Sequence, residues 1–218
     1  PWYPGDTINS AIGQGYMWAT PLQLATAASI IANKGEINQP RMLKAVEGQD
    51  YAPIFDNALP DVMLDDPDYW RYMEEAMTMV VHRPYSNQFR DYGTAYPEIA
   101  AKDPEMTYKL AGKSGTAQAV GISQEILSSD DIVVSDLNRD HALFIAFAPA
   151  MNPQIAPQIA LAVFVENGES GGGAAGPIAK RLTDKYLLDI LKIDFEALES
   201  ATPPSVPDTG VLISEVDE

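Results

Sequence analysis

The sequence predicts an α/β protein of the α+β type, in which an antiparallel sheet is packed by helices. Three strand candidates follow one another closely, at residues 108–120, 141–148 and 158–165. Such close succession along the chain favours an antiparallel meander. Helical patterns precede and follow these strands, and 46% of the residues are hydrophobic, so we expect a packed core.

The beginning of the chain is rich in glycine and proline, and residues 1–19 predict a loop. The helix that follows has a clear start, with Thr20 as N-cap, Pro21 at the first helical position and Gln23 completing a capping box. Gly35 supplies the C-terminal stop. Because charged residues are nearly absent from this helix, we expect it to be buried on most sides.

The next region predicts a short strand at residues 36–47 and a second helix at residues 67–81, with Asp66 as its cap. The second helix carries an apolar stripe made of Tyr69, Tyr72, Met73, Ala76, Met77 and Val80. Residues 85–106 predict irregular structure with a turn at residues 93–95.

The second and third strand candidates are nearly unbroken apolar runs, which predicts that both faces of the sheet are covered there. An acidic loop is expected at residues 121–139. The glycines at 171–173 are interpreted as a flexible connector into a final helix at residues 177–192, and the alternative is a functional loop that borders a cleft. Residues 193–218 are acidic and contain proline, which predicts a disordered tail after a domain that spans residues 1–192.

The charge balance excludes some classes of partner. The formal net charge is -17, from 31 acidic and 14 basic residues. Such a field repels nucleic acid and anionic lipid. The chain has no cysteine, which excludes disulfides and thiolate metal sites, and no metal-ligand spacing of histidine and glutamate occurs. No run reaches the roughly 18 apolar residues of a membrane span.

Residues 112–116, Gly-Lys-Ser-Gly-Thr, allow several interpretations. A phosphate loop needs a glycine where Thr107 stands and a helix afterwards. A nucleophile elbow needs a glycine where Thr116 stands. The third interpretation is the Lys-(Ser/Thr)-Gly motif of serine acyltransferases that react with penicillins, which lies on a strand. Taken alone, this tripeptide arises often by chance, and a polar strand end is the simpler interpretation.

The chemistry of the third interpretation is coherent. Lys113 brings a fixed positive charge close to a serine nucleophile and an anionic substrate terminus. The hydroxyls of Ser114 and Thr116 can bind a substrate carboxylate, and the Thr116 backbone N–H can donate in an oxyanion hole. Gly115 leaves room for another group against the strand. Gln118, on the same strand, completes the substrate-binding candidates.

Several segments, in order, resemble the class B penicillin-binding proteins. They are residues 2–7 (Trp-Tyr-Pro-Gly-Asp-Thr), 12–16 (Ile-Gly-Gln-Gly-Tyr), 19–25 (Ala-Thr-Pro-Leu-Gln-Leu-Ala) and 32–35 (Ala-Asn-Lys-Gly). Residues 111–118 resemble the third catalytic motif of this family and residues 141–149 its next strand, so that the match covers roughly residues 1–190. Ser114 and the His-Arg-Pro at 82–84 are most similar to penicillin-binding protein 2, the elongation enzyme.

The resemblance implies the penicillin-recognising serine transpeptidase/β-lactamase-like fold, here incomplete. The family also needs Ser-x-x-Lys and Ser-x-Asn motifs, and no serine of this chain fits either pattern. Both motifs normally precede the Trp-Tyr-Pro-Gly segment. We therefore expect the nucleophile to belong to a missing N-terminal half of the domain, and this chain alone to be inactive. Without that half, the helix that begins after Thr20 is left without a packing partner.

By the same resemblance, the complete protein is a serine-type peptidoglycan D,D-transpeptidase without a cofactor. Its expected partners are peptidoglycan stem peptides, β-lactams, the missing half and a membrane glycosyltransferase of the elongation machinery. Its expected location is the inner membrane, facing the periplasm. Two alternatives of the same fold stay open, a β-lactamase and a non-catalytic penicillin-sensing module. A β-lactamase needs a positioned deacylating water, and no residue here reveals one.

Three features have competing interpretations. His141 begins an apolar strand, and we expect a structural role for it. His82 is expected at a surface or a helix end. The Gly-Gln-Gly at residues 13–15 either lines a cleft or permits a tight chain reversal.

Overall fold

The computed structural model describes residues 2–15, 18–48, 59–87, 91–117 and 139–200. Its sheet has three antiparallel strands in the order β1-β2-β3, with β1 at Lys109–Ala117, β2 at His141–Ala150 and β3 at Ile159–Val165. The predicted meander is therefore confirmed. The predicted acidic loop falls almost wholly on residues 118–138, which lie outside the described residues.

Five α-helices surround the sheet in the described part of the chain. They are α1 (Pro4–Ala11), α2 (Pro21–Ala32), α3 (Asp68–His82), α4 (Gly176–Asp184) and α5 (Phe195–Ser200). A π-helical turn, Gly171–Ala175, leads directly into α4, and a second one, Lys185–Ile190, continues it. No helix in the described ranges is long and apolar enough to cross a membrane.

The core lies on both faces of β2 because alternate residues of a strand point to opposite sides. Phe144 is fully buried in the larger cluster, together with Ala175 and Ala179 of the C-terminal helical segment. Phe147 is buried on the other face, where Met77 of α3 packs. β2 is thus the central element of the domain, and β1 and β3 are the edges of the described sheet.

Helix α2 begins as predicted, but its burial was predicted wrongly. Thr20 Oγ1 accepts from the Gln23 backbone N–H at 3.2 Å, and Gln23 Oε1 accepts from the Thr20 N–H at 2.8 Å. Only Ala28 of this helix is buried, and Leu22 is 60% exposed. The reason is that one face of α2 lies open, with an apolar groove of about 450 Å³ along it.

Two short segments differ from the prediction. Residues 1–19 do not form only a loop, because α1 forms there, with Pro4 at its first position and Asp6 Oδ2 accepting from the Tyr3 N–H at 2.8 Å. Residues 36–47 contain no strand element. Instead, the Ile37 N–H donates to the side chain of Asp61 at 3.0 Å, so a side chain takes the place of a ladder partner.

Helix α3 is confirmed within one residue at each end, and Asp66 Oδ1 accepts from the Asp68 N–H at 2.9 Å. Its predicted apolar stripe is only partly correct. Met77 is buried, as is Val81, which lies outside the stripe. The tyrosines and the methionine at the N-terminal end of the stripe, Tyr69, Tyr72 and Met73, are about half exposed.

Cover on both faces is confirmed for β2, whereas β3 is covered only in part. Val163 is the buried residue of β3, while Phe164 is 42% exposed. Ala160, on the same face of β3 as Phe164, packs against the same buried cluster as Ile31 and Ala32 of α2, so this face is covered at its beginning and partly open at Phe164. An edge strand has fewer neighbours than a central one.

The predicted tail begins too early. Residues 193–200 include helix α5, whose Phe195 is 3% exposed and lies with its ring 5.5 Å from that of Tyr108. Ile193 and Leu198 also pack against the larger core cluster, so several apolar contacts hold this segment. Residues 201–218 lie outside the described residues.

Candidate active site

The Lys-Ser-Gly-Thr motif lies in the C-terminal half of β1, and its predicted position on a strand is confirmed. Lys113 stands opposite Ile145 of β2, and Gly115 stands opposite Leu143. Lys113 and Thr116 are exposed, and Ser114 is half-buried. Because β1 is an edge of the described sheet, its motif can be reached from solvent.

Lys113 carries an accessible positive charge. Its Nζ donates to the backbone carbonyl of the neighbouring Ser114 at 2.7 Å, and the side chain is exposed. An ammonium group has three donors, so this bond leaves two for another acceptor. The lysine can therefore approach an anion or a hydroxyl in front of the strand without breaking a core interaction.

Thr94 is a site residue that the sequence did not reveal. Its hydroxyl lies 3.1 Å from the hydroxyl of Ser114, and either oxygen can donate. In the sequence, Thr94 belongs to a segment predicted to be an irregular turn. No periodicity links it to Ser114, because the two residues are 20 positions apart. The contact therefore depends on the path that the chain takes between the end of α3 and β1.

Gly93 positions Thr94 by close packing against the end of α3. A Cβ atom on Gly93 would lie 2.3 Å from the Met79 carbonyl oxygen, a distance that real Cβ atoms essentially never show. Ala95, which follows Thr94, donates its backbone N–H to the Val80 carbonyl at 3.0 Å. The backbone around Thr94 is thus held against the last turns of α3, so the hydroxyl pair has a fixed support.

A cleft of about 630 Å³ opens beside the motif, between β1 and the segment that leads into α2. It is lined by Ile12, Gly13, Ala19, Thr20, Pro21, Leu24, Gly115, Thr116, Ala117, Leu143 and Phe164. Gly13 and Gly15 have φ values of 76° and 71°, which favour glycine. The Gly-Gln-Gly segment therefore satisfies both of its interpretations, since it reverses the chain and Gly13 lines the cleft.

The glycines at 171–173 are not a flexible connector, and that interpretation was wrong. They form the π-helical turn that begins the C-terminal helical segment, and Gly171 and Gly172 are buried. Ser170 caps this turn, because its hydroxyl accepts from the Gly173 N–H at 2.9 Å. Gln118, the remaining candidate residue, lies outside the described residues.

The two histidines have backbone partners. Nδ1 of His141 accepts from the Asn167 N–H at 3.0 Å, and its ring lies 5.1 Å from that of Phe164, in agreement with a structural role. His82 ends α3 as expected, but it is half-buried, and its Nε2 accepts from the Leu110 N–H of β1 at 3.0 Å. His82 thus joins α3 to the strand that carries the motif.

His82 makes the stability of the fold depend on pH. Burial, with a smaller contribution from Lys109, lowers the pKa of His82 from 6.5 to about 4. The neutral ring is therefore favoured in the fold, and below pH 6.5 protons bind the unfolded chain first. We expect the contribution of His82 to be complete above pH 6.5 and to be lost as the pH falls towards 4, by roughly 1–2 kcal/mol after allowance for partial exposure.

Denaturant unfolding of wild type and His82→Gln at pH 7 and pH 4.5 checks this expectation. The glutamine amide oxygen can accept the Leu110 N–H but does not titrate. The free energy of unfolding should therefore fall less in His82→Gln than in wild type over this interval. Equal pH dependence in wild type and His82→Gln would contradict the role of His82.

The described residues hold no group of three or more histidine, aspartate or glutamate side chains arranged to bind a metal ion. What the arrangement brings together is a cation, hydroxyls and an open strand edge beside a cleft. Such a set can bind an anionic peptide end and stabilise a developing oxyanion.

Comparison with known proteins identifies relatives with the same combination of features. Residues 1–184 match the family model described as the penicillin binding protein transpeptidase domain. The peptidoglycan D,D-transpeptidase MrdA of Haemophilus influenzae is 36% identical over 86% of this chain, and that of Escherichia coli K12 is 35% identical over 90%. The chain spans 26% and 29% of the lengths of these two relatives.

Solved structures agree with this assignment. The crystal structure of Pseudomonas aeruginosa PBP2 in complex with WCK 5153 aligns with a TM-score of 0.67 at 43% identity, covering 86% of this chain and 35% of that one. Helicobacter pylori PBP2, solved in a complex with MreC, aligns with a TM-score of 0.58 at 25% identity, covering 85% and 28%. The predicted fold and the predicted likeness to penicillin-binding protein 2 are thus confirmed, and the chain belongs to the penicillin-binding protein transpeptidase family.

Proposed function

We propose that the protein containing this chain is a serine-type peptidoglycan D,D-transpeptidase, in which this chain supplies the lysine-strand wall of the active site. The observation that carries the proposal is the exposed Lys113-Ser114-Gly115-Thr116 segment on an edge strand beside a cleft. The names of the relatives at 35–36% identity support the same activity.

In the proposed reaction, a serine outside this chain attacks the carbonyl carbon between the two terminal D-alanines of a stem peptide. The C–N bond breaks, the terminal D-alanine leaves with a proton on its amine, and an acyl-enzyme ester remains. An amine of a neighbouring stem peptide then attacks the ester, and the serine regains its proton as the cross-link forms. β-Lactams resemble the donor peptide and acylate the same serine.

Each residue of the motif has a role in this scheme. Lys113 stabilises charge and relays protons beside the nucleophile, while Ser114 and Thr116 bind the terminal carboxylate of the donor. The Thr116 N–H is one oxyanion donor, and Gly115 keeps the cleft open. Gln118 is a further substrate-binding candidate. The open edge of β1 allows the stem peptide to add as an extra strand.

The surroundings of the enzyme follow from the family. We place it at the inner membrane, facing the periplasm, with the missing N-terminal half of the domain covering the open face of α2. A membrane glycosyltransferase of the elongation machinery is the proposed protein partner. The apolar, exposed surface of α2 supports the need for that missing half.

Labelling with fluorescent penicillin tests the proposal. We expect the full-length protein to be labelled and the 218-residue chain to stay unlabelled, alone or mixed with the N-terminal half, because the reactive oxygen is elsewhere. Cross-linking of donor and acceptor stem peptides by the full-length protein would support a transpeptidase. Rapid release of hydrolysed penicillin would indicate a β-lactamase, and stable acylation without cross-linking a sensor. Label on this chain would contradict the assignment of the nucleophile.

A further inference from the structure

The first glycine of the π-helical turn lies directly against the motif strand. A Cβ atom on Gly171 would lie 2.6 Å from the carbonyl oxygen and 2.9 Å from the nitrogen of Gly115, and 2.4 Å from the carbonyl oxygen of Leu143. All three atoms belong to the backbone of paired strands, so no side chain can move aside. Any residue larger than glycine must displace either the turn or the strand.

The second glycine lies against the other side of the site. A Cβ atom on Gly172 would lie 2.4 Å from the carbonyl oxygen of Thr94, again a backbone atom. Thr94 is the residue whose hydroxyl contacts that of Ser114 at 3.1 Å. Two successive glycines of one turn therefore touch the two backbone segments that together present the hydroxyl pair.

Gly176, in the first turn of α4, is less constrained. A Cβ atom on Gly176 would lie 3.3 Å from Cδ1 of Ile99, the far end of a flexible side chain. A small shift of that methyl group would make room. The close approach to backbone is thus specific to Gly171 and Gly172 and is not a general feature of the helix.

We propose that Gly171 and Gly172 are positioning residues of the acyl-transfer site. The carbonyl of Gly115 and the N–H of Thr116 belong to one planar peptide unit, so displacement of the Gly115 oxygen also moves the oxyanion donor. Gly171 thereby fixes where the Thr116 N–H lies. Gly172 fixes the backbone of Thr94 and, with it, the hydroxyl that contacts Ser114, one of the two residues proposed to bind the carboxylate. The inference rests on the proposed transpeptidase function.

The test separates binding from acylation in the full-length protein. Stopped-flow measurements with a fluorescent penicillin give the dissociation constant of the first complex, Ks, and the acylation rate constant, k2. We expect Gly171→Ala to lower k2 at least tenfold with Ks changed less, because the oxyanion donor acts mainly in the transition state. We expect Gly172→Ala to raise Ks about five- to tenfold, because a displaced Thr94 no longer holds the carboxylate-binding hydroxyl of Ser114 in place.

Gly176→Ala is the matched control, and both of its constants should stay within twofold of wild type. Melting temperatures of all variants report folding separately. If Gly171→Ala and Gly172→Ala both fold and both keep the wild-type k2 and Ks, the inference is overturned. It is also overturned if Gly171→Ala fails to fold and the folded Gly172→Ala protein keeps the wild-type k2 and Ks. If wild type itself is not acylated, it is the proposed function that fails.

Discussion

Replacing Lys113 by alanine in the full-length protein is expected to lower the rate of acylation by penicillin at least a hundredfold, to the point where labelling is effectively abolished. The lysine supplies the fixed positive charge on this wall of the site, and its exposed ammonium group contacts only the carbonyl of Ser114 among the described residues. The transition state gains negative charge that the bound substrate lacks, so loss of the cation raises the barrier more than it weakens binding.

The same substitution should leave the fold largely intact, because the Lys113 side chain is exposed and forms no part of either buried cluster. The melting temperature measures this directly. Lys109→Ala is the matched control, since Lys109 is an exposed lysine at the beginning of the same strand. The control should acylate at nearly the wild-type rate. A folded Lys113→Ala protein with normal labelling would remove the proposed role of this lysine.

The elements that could be predicted from the sequence are those whose signals are local. The capping box of α2 needs only Thr20 and Gln23, and the structure contains both of its hydrogen bonds. The strands β2 and β3 are apolar runs with few alternatives. The motif could be assigned to a strand because the residues after Lys113 lack a helical pattern. In the structure, these residues belong to β1 up to Ala117.

Burial was harder to predict because it depends on what lies opposite a surface. The open face of α2 is apolar in sequence but lacks cover in the described part of the chain, and Phe164 of β3 stays 42% exposed although its ring lies 5.1 Å from that of His141. The helix at Phe195–Ser200 escaped prediction because its few apolar residues, Phe195 and Leu198, are held by contacts with the larger core cluster, among them the ring of Tyr108. In each case the sequence shows whether a side chain is apolar, but not which residues pack against it in the fold.

The site itself was predicted only as far as the motif extends. Thr94 and the turn beginning at Gly171 reach Ser114 and Gly115 from distant parts of the chain. Their sequence signals, a glycine-containing turn and a glycine run, are the same as those of flexible loops. A glycine run required by the close approach of two backbones therefore has the same sequence signal as a loose linker, and only the fold distinguishes the two.

Phe144→Ala is expected to lower the free energy of unfolding of the full-length protein by about 3–5 kcal/mol, the range for a fully buried phenylalanine. Phe144 is completely buried at the centre of the larger core cluster. Its ring lies over Gly112, where an added Cβ would be only 2.5 Å from the ring carbon Cε1. Denaturant unfolding measures the loss, and Phe144→Leu, which fills most of the cavity, should cost clearly less.

The contact between this ring and Gly112 also predicts a coupling. Gly112→Ala alone should destabilise the fold by about 1–3 kcal/mol, because the new methyl group collides with the ring. In the Phe144→Ala background the ring is gone, and the same methyl group partly fills the space that it leaves. The double variant should therefore be more stable than the sum of the single effects by at least about 1 kcal/mol. Additive losses would mean that the ring does not lie against the motif strand at Gly112.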